Sequence, residues 1–286
     1  MSAKSRPGNK KGNFRPTGQE QYYTPVAVAD LVTDMVVSRY PESLTKLWVE
    51  PCGGTGRFLD AFAAAGVEHF WSCDTAPQDP RVQARDFLTG ELPEVAGAIV
   101  VTNPPFGRNH ALSVPFFNRA ASFASVIAFI VPRSWRRWSV QNRLDRHFHL
   151  VADADLRVYY EMPGAKYVNP KDYMRTCIQI WERQPELRPL IKIENRGYIT
   201  KVSPALADVR LTFVASNCGM VTTDFERVAS TMQMFFKARD AGVIEALRHL
   251  DYDRFARNVT HIKCVSFEEV LFLLNEHFDA EKQPPR

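Results

Sequence analysis

The segment Asn103-Pro104-Pro105-Phe106 is the place where residue types and spacing speak most directly of chemistry. An amino group on an aromatic ring is a poor nucleophile, because its lone pair is delocalised into the ring. Oxygen atoms that accept hydrogen bonds from that amine favour a pyramidal, nucleophilic nitrogen. Asn103 offers a side-chain carbonyl for this purpose, and Pro104 offers its backbone carbonyl. Pro104 and Pro105 restrict the loop and hold both acceptors in place. Phe106 can stack on the target ring. A target base in this position must be unpaired or extruded from a duplex. The competing reading is a Pro-Pro turn capped by Asn. The position of the segment, after a β-branched run and downstream of a glycine turn, favours the catalytic reading.

A second cluster runs Glu50-Pro51-Cys52-Gly53-Gly54-Thr55-Gly56-Arg57-Phe58. Glycines between a strand and a helix let a ligand approach the backbone closely. Asp74 ends the next strand-like run, where an acid can accept hydrogen bonds from ribose hydroxyls. Asp86 and Phe87 follow, a carboxylate that could meet an adenine amino group and an aromatic that could flank its ring. Each has a plainer reading: an ordinary turn, and solvated acids in loops.

These residues need elements to position them. Tyr22-Tyr23-Thr24-Pro25 opens the ordered chain, with Thr24 placed to cap a helix and Pro25 at its first position. Val28, Leu31, Val32, Met35 and Val36 recur at helical spacing. Strands are expected at 47–50, 69–73, 98–102, 126–131, 151–158 and 176–181. Helices are expected at 57–65, 112–123 and 134–148. This alternation predicts an α/β fold, a doubly wound and mostly parallel sheet with the reactive loops at the carboxyl ends of its strands. Prolines 185 and 189 mark a boundary. The expected organisation is a disordered basic arm over 1–20, a catalytic domain over 21–185, and a small C-terminal extension or domain over 186–286. In that last region 225–236, 243–250 and 267–278 read as helices, and 200–212 has strand character.

Composition sets the bounds. The chain has 286 residues, of which 45% are hydrophobic and 24% charged, enough for a core without metal or disulfide staples. Its five cysteines are scattered without CxxC spacing, which argues against a zinc site or disulfide framework and fits a reducing cytoplasm. No apolar run reaches membrane-spanning length, and the N-terminus lacks the apolar stretch of a secretory signal. The net charge of +4 names no partner, but its distribution is uneven. Arg133, Arg136 and Arg137 follow the strand after the Asn103 loop, so they are expected near the crevice, where they could contact phosphates. Trp135 and Trp138 are expected to pack in the core.

Together, these motifs resemble the class I methyltransferases, specifically the gamma-type DNA methyltransferases of bacteria and phages that modify adenine N6. The likeness covers about residues 22–183. It implies a Rossmann-like fold, S-adenosylmethionine as cofactor, no metal, and nucleic acid, DNA first, as partner. Tyr23, Thr24 and Pro25 are similar to a cofactor-side motif of that family. Glu50, Pro51, Cys52, Gly53, Gly54, Gly56 and Phe58 resemble its methionine-binding motif, Asp74 its ribose acid, and Asp86 and Phe87 its adenine-side pair. Asn103, Pro104, Pro105 and Phe106 resemble its catalytic tetrad, whose leading Asn is typical of adenine-N6 enzymes. Gamma enzymes of restriction systems carry a large target-recognition domain, and only about a hundred residues remain here for one. An RNA adenine methylase, a protein glutamine N-methyltransferase and a non-enzymatic nucleic-acid-binding subunit of the same fold stay open as alternatives.

Overall fold

The computed structural model describes residues 22–92, 96–160, 174–259 and 262–281. The expected basic arm, 1–20, lies outside the described residues. Helix α1 (Val26–Arg39) precedes strand β1 (Leu47–Glu50), helix α2 (Arg57–Ala64), strands β2 (His69–Asp74), β3 (Gln83–Ala84) and β4 (Ala98–Thr102), and helix α3 (Ser113–Ala121). Strand β5 (Ala124–Pro132), the short helix α4 (Trp138–Gln141), and strands β6 (Phe148–Val158) and β7 (Met174–Arg183) complete the first unit. Its sheet runs in the order β3-β2-β1-β4-β5-β7-β6. The β1, β2, β3, β4 and β5 pairings are parallel, and β7 runs antiparallel to both of its neighbours.

Burial on both faces explains the near-continuous apolar runs of the central strands. All five residues of β4 are buried. One face carries Trp48, Ile99, Val101 and Ile130 against Val32 and Val36 of α1 and Leu59 and Phe62 of α2. The other packs Val49, Val100, Ile127 and Phe129 against Val114, Phe117 and Ala120 of α3. Strand order reverses between β1 and β4, and the carboxyl ends of these two strands open the crevice in which such sheets bind ligands.

Three local expectations differ from the structure. Thr24 caps nothing; Pro25 itself takes the cap position of α1, in extended backbone. The expected helix over 134–148 is a 3-10 turn (Arg133–Arg136) and then α4, separated at Arg137, whose φ of −73° and ψ of 137° are extended. Phe148 belongs to β6, fully buried against Phe117 and beneath the Arg183 guanidinium. The expected helix over 225–236 is instead irregular chain followed by a turn and a strand that starts at Gln233. Met234 and Phe236 alternate into a core, while Phe235 on the opposite face meets Phe225 at 5.8 Å. In each case tertiary contacts override a pattern that local spacing could not distinguish.

After β7 the chain builds a second sheet, ordered β10-β9-β11-β8 and antiparallel. Its strands are β8 (Ile199–Lys201), β9 (Val209–Thr212), β10 (Val221–Thr222) and β11 (Gln233–Ala238). Helices α5 (Ala241–His249), α6 (Asp253–Ala256) and α7 (Phe267–Glu281) follow, and residues of all three share one core with the sheet. Helix α7 begins with a reciprocal cap: Ser266 N–H donates to Glu269 Oε2 at 2.7 Å, and Glu269 N–H to Ser266 Oγ at 3.2 Å. No helix among the described residues is long and apolar enough to cross a membrane.

The two units meet at Arg137 and Trp138. The Trp138 ring lies 5.6 Å from Phe255 and 5.1 Å from Phe272. Arg137 donates to the Cys264 carbonyl at 2.9 Å and lies 3.7 Å from Glu269, whose carboxyl burial pushes up. Arg137→Met strands that carboxylate. Because Arg137 keeps 22% of its side chain exposed, the expected loss is roughly 1–3 kcal/mol, below that of a fully buried pair. Denaturant titration checks this. The loss should shrink in acid, where Glu269 is neutral in both proteins; equal stability at pH 7 would refute the pairing.

Candidate active site

Strand β1 delivers Glu50 to the crevice, 1% exposed. Its Oε1 accepts the Cys52 N–H at 3.0 Å and the Thr102 hydroxyl, while Oε2 is buried with no partner among the described residues. Burial pushes the Glu50 carboxyl up to about 8; the Thr102 and Cys52 hydrogen bonds oppose this, and the Asp74 charge adds to it. Buried polar atoms are rarely left unmatched, so Oε2 calls for a polar partner beyond the described residues. Neighbouring Cys52 is held firmly as a thiol by burial and by Glu50, which removes it as a nucleophile.

The Glu50 shift sets a pH dependence. In the unfolded chain the carboxyl ionises near its ordinary 4.5, and in the fold only near 8. Its stability contribution is therefore complete below pH 4.5 and is lost as pH rises through about 8. Glu50→Gln keeps an oxygen for Cys52 and Thr102 but cannot ionise. The melting temperature of Glu50→Gln should gain on that of the natural chain between pH 5 and about 8. Parallel curves across that range would show that Glu50 is already ionised.

The glycines have different tasks. A Cβ on Gly53 would fall 2.1 Å from Ser72 Oγ, so the glycine there answers to strand packing. Gly54, at φ +43°, donates its N–H to Asp74 Oδ2 at 3.0 Å, and a Cβ would come within 3.1 Å of the Tyr23 ring. The space beside Gly56, expected to face a ligand, is filled: a Cβ would stand 2.3 Å from Asp79 Oδ2. Asp79 is paired with Arg81 at 2.7 Å, which holds its carboxyl down at about 2. The Gln78 N–H donates to the Gly54 carbonyl at 2.8 Å, so the loop after β2 straps the glycine turn. Asp74 anchors both, its Oδ1 accepting the Ala76 N–H at 2.8 Å. Each Asp74 oxygen keeps a lone pair for a hydroxyl.

Other expected cofactor contacts are core side chains. Phe58 is 5% exposed and packs against Phe62, and Phe87 is 1% exposed between Phe116 and Phe123. Phe87 therefore has no face left for an adenine ring. Asp86 accepts the Leu88 N–H at 2.8 Å and the Thr89 hydroxyl at 3.1 Å, forming a turn. Pro51 and Thr24 are buried, Thr24 to 7% exposure.

The loop after β4 is held from three sides. Asn103 Nδ2 donates to the Tyr22 carbonyl at 3.0 Å, which fixes the amide so that Oδ1 is the acceptor left to the crevice. The Tyr160 hydroxyl donates to that oxygen at 3.5 Å, which leaves it one lone pair. The Tyr22 ring stacks over Phe106 with centroids 6.4 Å apart and meets Tyr160 at 5.5 Å. Phe106 is itself 6% exposed and belongs to the core, so with Tyr22 stacked on it the ring has no open face for a base. Tyr22, Thr102 and Tyr160 were not singled out from the sequence; Thr102 alone carried a signal, as the last residue of β4, directly before the tetrad. Beyond Phe106 the backbone turns sharply, with left-handed φ at Gly107, Asn109 and His110 (66°, 53° and 62°). Arg143 donates to the Asn109 carbonyl at 3.0 Å, and His110 Nε2 meets Ser134 Oγ at 3.0 Å. Burial first, then Arg143 and Arg137, push His110 down to about 4, so it is neutral at pH 7.

The three arginines expected at phosphates are engaged within the chain. Arg133 meets Asp155 at 2.7 Å, Arg136 grips Asp153 and Asp155, and Arg137 reaches Cys264 and Glu269. Trp135 is fully buried, its Nε1 donating to Ser113 Oγ at 3.2 Å.

A seven-stranded sheet in this order, parallel but for β7, with its loops converging beyond β1, β2 and β4, is the Rossmann-like fold of the class I methyltransferases. Neither protein-family models nor curated proteins match the sequence. Among solved structures the chain is similar to a protein of Pyrococcus horikoshii provisionally described as an RNA methyltransferase. That match has 16% identity and a TM-score of 0.47, and covers 60% of this chain and 91% of that one. A modification subunit of a provisionally assigned type I restriction enzyme from Vibrio vulnificus is similar at 15% identity, covering 57% and 44% of the two chains, with a TM-score of 0.40. TrmN from Thermus thermophilus is similar at 14% identity, over 54% and 48%, with a TM-score of 0.38. The likeness is one of fold, and the matched part is less than half the length of the last two.

Proposed function

We propose that the chain is an S-adenosylmethionine-dependent methyltransferase acting on N6 of adenine in DNA. The observation that carries this reading is the orientation of Asn103. The Tyr22 carbonyl takes the amide's donor, which leaves Oδ1 as acceptor beside an aromatic wall at the carboxyl end of β4. The residues present fit the cofactor: Glu50 Oε2 has no partner among the described residues, and Asp74 keeps acceptor capacity for hydroxyls. Glu50 and Asp74 would hold it, and when bound it supplies an electrophilic methyl group on a sulfonium. Asn103 Oδ1 and the Pro104 carbonyl accept the two amine hydrogens and keep the nitrogen lone pair directed out of the ring. Tyr22, backed by Phe106, and Tyr160 wall the crevice beside Asn103 and exclude water. The resemblance of the motif order to gamma-type enzymes supports DNA over RNA.

The test incubates the protein with isotopically labelled methyl donor and separate pools of DNA, RNA and protein, followed by mass spectrometry of nucleosides and peptides. The expected product is N6-methyladenine in DNA. Label in RNA, in N4-methylcytosine or in glutamine overturns the substrate. Absence of label in every pool overturns the activity.

A further inference from the structure

We infer that Arg57 is the receptor for a carboxylate, the one carried by the amino-acid end of the cofactor, an inference that rests on the cofactor reading above. Arg57 opens α2 directly after the glycine turn. Its side chain is half-buried, and its Nε is buried with no hydrogen-bond partner among the described residues. A buried guanidinium N–H is rarely left unmatched. The carboxylates around the turn are engaged elsewhere. Arg81 holds Asp60 and Asp79, each at 2.7 Å, and Asp74 accepts the Gly54 and Ala76 N–H groups.

The position of Arg57 sharpens this. A cation in the first turn of a helix opposes the helix dipole, so the helix itself does not call for one there. No side chain caps α2, because Gly56 holds the cap position. The leading N–H groups of α2 and the Arg57 guanidinium therefore offer donors to an anion at the same end of the turn. At the other end stands Glu50, 1% exposed, whose Oε2 is a buried acceptor without a partner among the described residues. The Gly56 N–H donates to the Gly53 carbonyl at 2.7 Å, which closes the turn between them. An unmatched acceptor before the turn and an unmatched donor after it suit the ammonium and the carboxylate of one amino acid. Arginine is the side chain whose forked donors fit a carboxylate.

Calorimetry on the full chain tests this with two probes, S-adenosylmethionine and its decarboxylated form, which keeps the ammonium and the sulfonium but lacks the carboxylate. The natural chain should bind the decarboxylated form about ten- to a hundredfold more weakly, the usual consequence of losing hydrogen bonds to a charged group. In Arg57→Gln the affinity for S-adenosylmethionine should fall by a similar factor, while that for the decarboxylated form should hold, so the variant no longer tells the two apart. Arg57→Lys should keep part of the preference, as a point charge without the fork. The melting temperature of ligand-free Arg57→Gln should be no lower, because a cation has left a helix N-terminus; a structural role for Arg57 would lower it. A natural chain that binds both forms equally, or an Arg57→Gln variant that keeps the full preference, overturns the assignment and leaves cofactor binding standing. So does an Arg57→Gln variant that loses only salt-dependent DNA affinity, which would make Arg57 a phosphate contact. A natural chain that binds neither form ends the cofactor reading, and this inference with it.

Discussion

Asn103→Ala should transfer methyl groups about 10²–10³ times more slowly than the natural chain, the usual consequence of losing one preorganised acceptor at a developing charge. Positive charge grows on the amine nitrogen as the new bond forms, so its hydrogens bind Oδ1 most tightly in the transition state. The loss should therefore fall on the single-turnover rate and little on substrate affinity. Cofactor affinity should persist, because the Asn103 bonds run to Tyr22 and Tyr160 and not to the glycine turn. Asn103→Asp is the informative companion. It keeps acceptor oxygens but loses the donor to the Tyr22 carbonyl, setting a carboxylate against that oxygen. Its activity should fall too, with the Tyr22–Phe106 stack disturbed. Full activity in a folded Asn103→Ala protein would overturn the mechanism.

Asp74→Ala should weaken S-adenosylmethionine binding ten- to a hundredfold. One carboxylate holds two backbone N–H groups, Gly54 at 3.0 Å and Ala76 at 2.8 Å, and so ties the glycine turn to the strap that crosses it. Hydrogen bonds to a charged group contribute about 1.5–3 kcal/mol each, and a single one at the low end is already about tenfold. Asp74→Asn should not rescue binding, since its amide nitrogen would face one of two N–H donors. Asp74→Glu should fail as well, its extra methylene pushing the carboxylate past both. Calorimetry on folded protein measures the change, and an unaltered dissociation constant for Asp74→Ala would remove Asp74 from the cofactor site.

Short-range features of the fold were legible because their causes are local. The run Ala98–Thr102 is fully buried and reads as a central strand from its composition alone. Helix α2 starts after Gly56, at φ +75°, as a glycine between strand and helix allows. Helix α5 carries its Asp240 cap to Val243 N–H at 3.0 Å and falls where its apolar spacing places it. The Ser266–Glu269 cap is equally local, a serine three residues before a glutamate at the start of α7.

What the chain order alone determined, then, is which loops could hold chemistry: the amide-proline tetrad after a buried strand, and the glycine turn between Glu50 and Phe58. What only the tertiary structure decided is where each side chain spends its bonds. Asn103 is oriented by Tyr22, Thr102 caps Glu50, and Arg133 and Arg136 turn to carboxylates on β6. Phe58 and Phe87, aromatic and close to the right loops, go to the core instead. The physical reason is that apolar spacing reports that a residue is buried, not what it is buried against. A hydrogen bond or ion pair between distant segments depends on strand order and register, which this sheet sets by reversing at β1 and β4 and by turning β7 against its neighbours.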